Sequence, residues 1–366
     1  MPMTTSRRTI TATVAMGAAL ALLAPLAVAS AVAGPNPNPG AFDVIATGLN
    51  NPRGVALGDH DTVYVAEAGL GAGNAIAGAV IGIGQTGSIT RVKHAGSASP
   101  KVKRVVTGLW STAGVQGLSI QTLGLDGIAV KGHHEIVGIM GKSNVAGTNL
   151  GSLVRIHGNK IRNLADVGAF DYAWTETYQN EAWASAPYAN PYAVALVGKK
   201  TYVVDAGANT VDEVLKDGTV RVIARLSDQG TRNAAPTCIA VGPDHALYVG
   251  EYKYGSSASV WRIDPKATNP DDLNTVLNVA TVWATGFKTI TGCAFDKQGT
   301  FYASQYAEGN IQTAPFADPT TGRTLIGVGE LEQPQGIAVA NDGTIYVADH
   351  GDNQLAGQGR LVRIRR

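Results

Sequence analysis

Glu67, Asp205, Glu251 and Asp349 close four copies of one short apolar phrase, and Gln305 closes a fifth. The phrases read Val63-Tyr64-Val65-Ala66-Glu67, Thr201-Tyr202-Val203-Val204-Asp205, Leu247-Tyr248-Val249-Gly250-Glu251, Phe301-Tyr302-Ala303-Ser304-Gln305 and Ile345-Tyr346-Val347-Ala348-Asp349. Acids in that recurring place can do one of two things. Gathered round a single opening, with amide and carbonyl oxygens beside them, they hold a hard cation such as Ca²⁺, which takes oxygen ligands in variable geometry. Kept apart, each accepts backbone N–H bonds from its own turn, the commoner use of an acid there. Glu67, Asp205, Glu251 and Asp349 are thus the candidate metal set, weighed against four independent turn caps.

A second concentration of chemistry lies between Asp166 and Tyr192. Phe170, Tyr172, Trp174, Tyr178, Trp183, Tyr188 and Tyr192 crowd one connection far longer than the usual few residues. Rigid rings on a long loop suit a flat, aromatic or sugar-like ligand, although the same rings can simply pack down as a lid. Other signals are weaker. Gly82-Ile83-Gly84-Gln85-Thr86-Gly87 has dinucleotide-binding spacing but precedes a strand and opens no helix. His133-His134-Glu135 sits in a polar turn, without the helical spacing that sets two histidines on one zinc. No nucleophile elbow occurs. Cys238 and Cys293 fall in adjacent columns of the repeat, whose side chains alternate in direction, which argues for two buried thiols over a bridge.

What must position these residues is the repeat itself. Each closing phrase is preceded by a second apolar strand, as in Pro52-Arg53-Gly54-Val55-Ala56-Leu57 or Pro236-Thr237-Cys238-Ile239-Ala240-Val241, with a polar turn between. A sixth copy pairs Asp126-Gly127-Ile128-Ala129-Val130 with Glu135-Ile136-Val137-Gly138. These are hairpin signals, and third and fourth strands such as Gly151–Ile156 and Thr219–Ile223 follow most of them. Four antiparallel strands repeated six times make an all-β, six-bladed β-propeller.

The sixth copy stops after its third strand, while Phe42-Asp43-Val44-Ile45-Ala46-Thr47-Gly48-Leu49 is an orphan fourth strand near the other end. The expected closure has that strand complete the last blade, removing two exposed edges. The hairpin geometry then collects two rings on one face. Arg53, Asp126, Tyr192, Thr237, Thr291 and Gln335 enter the inner strands, and Glu67, Met140, Asp205, Glu251, Gln305 and Asp349 end the second strands. The candidate ligand site on that channel face is Arg53, Glu67, Tyr172, Trp174, Trp183, Tyr192, Asp205, Glu251, Gln305 and Asp349.

Residues 1–33 read as export information. Arg7 and Arg8 precede an apolar run ending in small-residue cleavage sites between Ala29 and Ala33. The general secretory route is expected, with Ser6-Arg7-Arg8-Thr9-Ile10 half-resembling a twin-arginine signal. Residues 34–366 are expected as one domain, extracellular or at the cell envelope, with no stable membrane span once the leader is gone. Cleavage removes two arginines and no acids, leaving 27 basic and 28 acidic residues, a balance that does not attract nucleic acid.

Gly48-Leu49-Asn50-Asn51-Pro52-Arg53-Gly54, Asn190-Pro191-Tyr192-Ala193-Val194, Val203-Val204-Asp205-Ala206-Gly207-Ala208-Asn209 and Pro236–Asp244 with Leu247–Glu251 together resemble the ScyD/ScyE family. The resemblance covers essentially all of the chain beyond the leader. It is more specific than the generic NHL- or TolB-like repeat also present, and implies an exported six-bladed propeller. In cyanobacterial members it implies late, extracytoplasmic steps of an indole–phenolic pigment pathway, a role not transferred here because such propellers also occur in bacteria without the pigment. The expectation for function is a binding propeller for an unidentified small molecule or protein partner. The alternative is an exported metal- or cofactor-dependent enzyme, an oxidoreductase on an aromatic substrate or a gluconolactonase-like hydrolase. No cofactor is required by the sequence; Ca²⁺ is the candidate.

Overall fold

The computed structural model describes residues 42–366, except 72–74, 77–78, 81, 117–118, 133–134, 143–144, 159, 183, 185, 228–232 and 352–355. The leader, the His133-His134 turn and Trp183 therefore lie outside the described residues.

Among the described residues, five antiparallel blade sheets follow one another along the chain, a sixth joins its first and last described strands, and a small two-stranded ribbon, Ala75–Ile76 with Ala79–Val80, stands beside them. Blade 1 is built from Pro52–Gly58, Thr62–Glu67, Gly82–Lys93 and Lys101–Gln116, with an added fifth strand, Ser119–Leu123. Blade 2 comprises Leu125–Lys131, Glu135–Met140, Ser152–His157 and Lys160–Asp166. Blade 3 has Pro191–Val197, Lys200–Asp205, Thr210–Val214 and Val220–Arg225. Blade 4 has Pro236–Val241, Leu247–Glu251, Ala258–Ile263 and Thr281–Phe287. Blade 5 has Ile290–Phe295, Thr300–Gln305, Asn310–Pro315 and the short Leu325–Ile326. Blade 6 has Ile337–Val339, Ile345–Asp349 and Gly359–Ile364, and its outer strand is Phe42–Leu49. The register Phe42↔Ile364, Asp43↔Arg363, Val44↔Val362 fixes that closure. The protein is a six-bladed β-propeller, as its repeat predicts.

Each pair of adjacent blades shares one apolar core, because a sheet covered on both faces needs apolar side chains on both. This explains why second strands such as Leu247–Glu251 are buried at every position. Between blades 6 and 1, Ile45 and Leu49 of the closing strand pack with Val55, Val65, Tyr346 and Leu361, so that interface has a core like the other five.

Toward the axis the inner strands approach backbone to backbone. A Cβ on Gly336 would stand 2.7 Å from Cα of Gly54 on the next blade, so only glycine fits there. The Gly336 N–H donates to the Arg53 carbonyl at 3.0 Å, a direct bond between the last blade and the first.

Two local expectations change. The segment after Asp166 is not a plain loop. Val167–Thr177 forms helix α1, begun by the Asp166 carboxylate, which accepts the Ala169 N–H at 3.0 Å. Val167, Gly168 and Asp171 form its buried side, and an N-cap with that spacing outweighs the poor helix propensity of the rings. Second, Cys238 and Cys293 are bridged, with Cα atoms 5.6 Å apart. Alternation of side chains governs one flat sheet. These cysteines lie on neighbouring inner strands of different sheets, the first bulged between Pro236 and Cys238, the second between Ile290 and Gly292. Staggered columns therefore meet near the axis, within ordinary disulfide reach. The Gly82–Gly87 motif is itself extended, part of the long third strand of blade 1.

Candidate functional site at the channel mouth

The inner strands, and in blade 6 the turn that enters one, deliver Arg53, Asp126, Tyr192, Thr237, Thr291 and Gln335 to one level of the channel, as the hairpin argument requires. Below them the channel holds a narrow space of about 80 Å³. Above them opens a cavity of about 310 Å³, walled by Tyr188, Tyr192, Tyr252 and Tyr306, by Gln121, Asn190 and Gln335, and floored by Arg53, Thr237 and Thr291. That volume accommodates a single-ring molecule.

The floor is fastened between blades. The Thr237 hydroxyl donates to the Ile290 carbonyl at 2.5 Å, and the Thr291 hydroxyl to the Pro334 carbonyl at 2.7 Å. Tyr192 Oη donates to Gln335 Oε1 at 3.2 Å. Arg53 donates from Nη2 to the Thr122 carbonyl at 2.8 Å, and its Nε lies 3.8 Å from the Asp126 carboxylate. Asp126 thus offsets the guanidinium charge beneath the cavity.

The second ring does not point into this opening. Glu67 accepts the Asn50 N–H at 2.7 Å, the Thr90 hydroxyl at 2.6 Å and Arg104 Nη2 at 2.7 Å. Asp205 Oδ1 accepts the N–H groups of Asn190, Gly207 and Ala208 at 2.7, 2.7 and 2.8 Å. Glu251 takes the Ser259 N–H at 2.8 Å and the Trp261 indole N–H at 2.7 Å, with Lys253 Nζ 3.2 Å away. Asp349 takes the Gln333 N–H at 2.9 Å and Arg360 Nη2 at 2.7 Å. Gln305 repeats the device with an amide: its Oε1 accepts the Lys288 N–H at 2.7 Å, while its Nε2 donates to Asn310. Four of these five therefore tie down the loop entering their own inner strand, and Glu251 ties down the third strand of its own blade. Met140, at the same place in blade 2, is fully buried in the core between blades 1 and 2.

These partners are those of the turn-fastening reading of the four acids. Among the described residues, Glu67, Asp205, Glu251 and Asp349 are not gathered into a metal-holding group. Glu67, Glu251 and Asp349 are engaged by backbone, side-chain and cationic donors, and Asp205 by three backbone N–H groups on Oδ1, while the mouth presents phenols, amides, hydroxyls and one compensated guanidinium. That donor set does not fit Ca²⁺, which needs several anionic or carbonyl oxygens converging on one point.

Among the described residues, Tyr192 is the aromatic of the candidate set that the structure brings to the cavity. Tyr172 and Trp174 are half-buried on α1 outside it, and Trp174 packs instead on Tyr178, ring centroids 5.0 Å apart. Tyr188 reaches the cavity from the segment after α1. Burial first, then the nearby Asp205 charge, raises its phenol above the ordinary value.

Several cavity residues escaped sequence reasoning. Tyr252 and Tyr306 each follow the closing residue of a repeat phrase, Glu251 and Gln305, so a tyrosine one place beyond the phrase was an available signal. Gln121 and Leu123 come from the fifth strand of blade 1, which has no counterpart in the other blades and so no repeat to reveal it.

The NHL repeat family model matches residues 331–357, the last hairpin and its flanks. No curated protein matches the sequence. Solved structures similar to the chain include a gluconolactonase from Xanthomonas campestris, at 11% identity over 90% of this chain and 91% of that one, TM-score 0.55. A calcium-binding protein, regucalcin, from Agrobacterium tumefaciens matches at 13% identity over 89% and 95%, TM-score 0.52. A protein of unknown function from Bacteroides thetaiotaomicron matches at 12% identity over 89% and 72%, TM-score 0.55. At such identities the likeness is one of fold. Among the described residues, no helix is long and apolar enough to cross a membrane.

Proposed function

We propose that the protein is an exported binding propeller of the ScyD/ScyE type whose channel-mouth cavity takes a small, uncharged ring compound bearing hydroxyl or carbonyl groups. The observation that carries this reading is the wall itself, four tyrosines and three amides around about 310 Å³ with no carboxylate among them. Tyrosine offers an apolar face and a polar tip at little entropic cost, and the amides supply both donors and acceptors. Arg53 carries a charge already offset by Asp126, so it orients a ligand carbonyl or hydroxyl without requiring an anion. Export is supported by the leader-like residues 1–33 and by the Cys238–Cys293 bridge, which suits an oxidising compartment.

The rival reading is a gluconolactonase-type enzyme, suggested by the fold of the similar structures. It would call on carboxylates at the mouth, and those of the second ring are engaged within their own blades.

The test is a thermal-shift and calorimetric screen of the leader-free protein against monosaccharides, their lactones and simple phenols. A hit should weaken at least about tenfold in Tyr252→Ala and Tyr306→Ala, since each removes one ring of the wall. A hit with unaltered affinity in both variants would place the site elsewhere. Turnover of a lactone dependent on an added divalent cation would favour the rival.

A further inference from the structure

Three aspartates that the binding site does not use stand together at its edge. Asp171 on α1, and Asp205 and Asp212 on the second and third strands of blade 3, are each fully buried, at 0% exposure. Asp205 spends Oδ1 on three backbone N–H groups, and Asp212 Oδ2 receives the Thr210 hydroxyl at 3.2 Å. Four oxygens are left with no hydrogen-bond partner: Oδ2 of Asp205, Oδ1 of Asp212 and both oxygens of Asp171. Asp205 and Asp212 share one face of blade 3, with Thr210 opposite Asp205 and Val203 opposite Asp212, and both act on the Asp171 carboxyl.

Three ionised carboxylates cannot share a dry site without positive charge between them. A proton supplies it most simply, because it turns an acceptor-only group into a donor to its neighbour. Burial, followed by repulsion from Asp212 and Asp205, pushes the Asp171 carboxyl well above the ordinary range. Burial and the Asp205 charge do the same to Asp212. Asp205 is raised by burial against the pull of its three N–H donors.

The surroundings tie this cluster to the cavity rim. The Asp171 carbonyl accepts the Thr175 hydroxyl at 3.0 Å, and Thr175 Oγ1 in turn accepts the Tyr188 N–H at 3.3 Å. Asp205 holds the Asn190 N–H, and the Asn190 carbonyl accepts the Ala206 N–H at 3.0 Å. Tyr188, Asn190 and Ala206 all line the cavity.

We propose that Asp171, Asp205 and Asp212 form a proton-held latch that fastens helix α1 and the segment 188–190 to blade 3, so that loss of the proton frees one wall of the channel-mouth cavity. The regulatory consequence rests on that cavity being the binding site. The latch itself does not, and it is tested without ligand.

Other titratable groups on the surrounding elements have partners or places of their own. Glu213 pairs with Lys200 at 2.9 Å, and Arg155 on the neighbouring strand of blade 2 pairs with Glu135 at 3.2 Å, with His157 beyond it. Arg225 is buried opposite Thr210 and engaged in contacts of its own. Asp166 caps α1, Lys142 meets Asn190 through its backbone N–H, and Tyr188 stands near Asp205.

The sign follows from linkage. Groups whose folded values lie above their unfolded ones hold the latch at acid pH and lose it as pH rises toward those folded values. The experiment is amide hydrogen exchange on the leader-free protein, corrected for intrinsic rate, from about pH 5 to about pH 9. In the wild type, protection of α1 and of residues 188–190 should fall at least roughly tenfold relative to the blade cores as pH rises. Asp171→Asn, neutral at every pH and still a donor, should keep it level. Should that variant fail to fold, Asp212→Asn serves the same purpose. Protection that ignores pH in the wild type, or falls equally in the variant, overturns the latch. So does protection maintained at the alkaline end by added calcium, which would show a metal ion holding the carboxylates.

Discussion

Tyr192 and Gln335 meet across the propeller axis, phenol oxygen to amide oxygen at 3.2 Å, although 143 residues separate them and they enter opposite blades, 3 and 6. Both residues line the narrow channel space and the tyrosine-walled cavity, so the contact stands where the two meet. Tyr192→Phe removes this bond while keeping the ring. Unfolding in urea should show a loss of about 1 kcal/mol, the net worth of one such hydrogen bond. Binding of any ligand that touches this contact should change as well, and a variant identical to wild type in both respects would show that the contact holds nothing in place.

The closing strand should be indispensable. Removing Phe42–Leu49 strips Ile45, Ala46 and Leu49 from the core between blades 6 and 1 and leaves Gly359–Ile364 as an open edge. It also frees Arg363 from Asp43, a pair 2.8 Å apart. Scanning calorimetry should show the midpoint lowered by more than about 10 °C, or no cooperative transition at all.

The bridge between blades 4 and 5 closes a span of 55 residues. Chain-entropy reasoning gives it up to about 4 kcal/mol, acting on the unfolded chain. Denaturant midpoints should fall on reduction and in Cys238→Ser with Cys293→Ser, and thiol counting on denatured, unreduced protein should find none free among the two.

Glu67 is a fastener by its partners, so Glu67→Gln should be a stability variant. One amide cannot serve Asn50, Thr90 and Arg104 together, and a loss of about 2 kcal/mol is expected with ligand affinity unchanged. Affinity falling with stability intact would return this acid to the binding site.

At the alkaline end, Tyr248 and Tyr302 are both pushed up to about 12, chiefly by burial, with Asp244 and Asp296 respectively adding to it. Folded values above the unfolded value of 10.0 mean a contribution present below about pH 10 and lost as pH climbs toward 12. Absorbance near the phenolate band should therefore lag behind that of free tyrosine, then rise together with unfolding.

Blades and closure were legible in the sequence because both are local and repeated. A hairpin needs only a turn and two apolar runs, and each of its neighbours restates the phrase. Even the two rings could be named from position in the repeat, since every hairpin carries its entry and its closing residue to one face. Those parts of the structure are set by short-range rules written several times over.

Direction of the closing side chains, the partner of each cysteine and the company of Asp171 were settled only by the folded chain. Glu67 turns to Arg104, 37 residues on, and Cys238 meets Cys293 where two sheets lean together. Asp171, on a helix that occurs once, finds Asp205 and Asp212 inside blade 3. Each of these depends on the angle between neighbouring sheets and on which lone pairs are left after backbone donors are satisfied, quantities that exist only once the ring has closed.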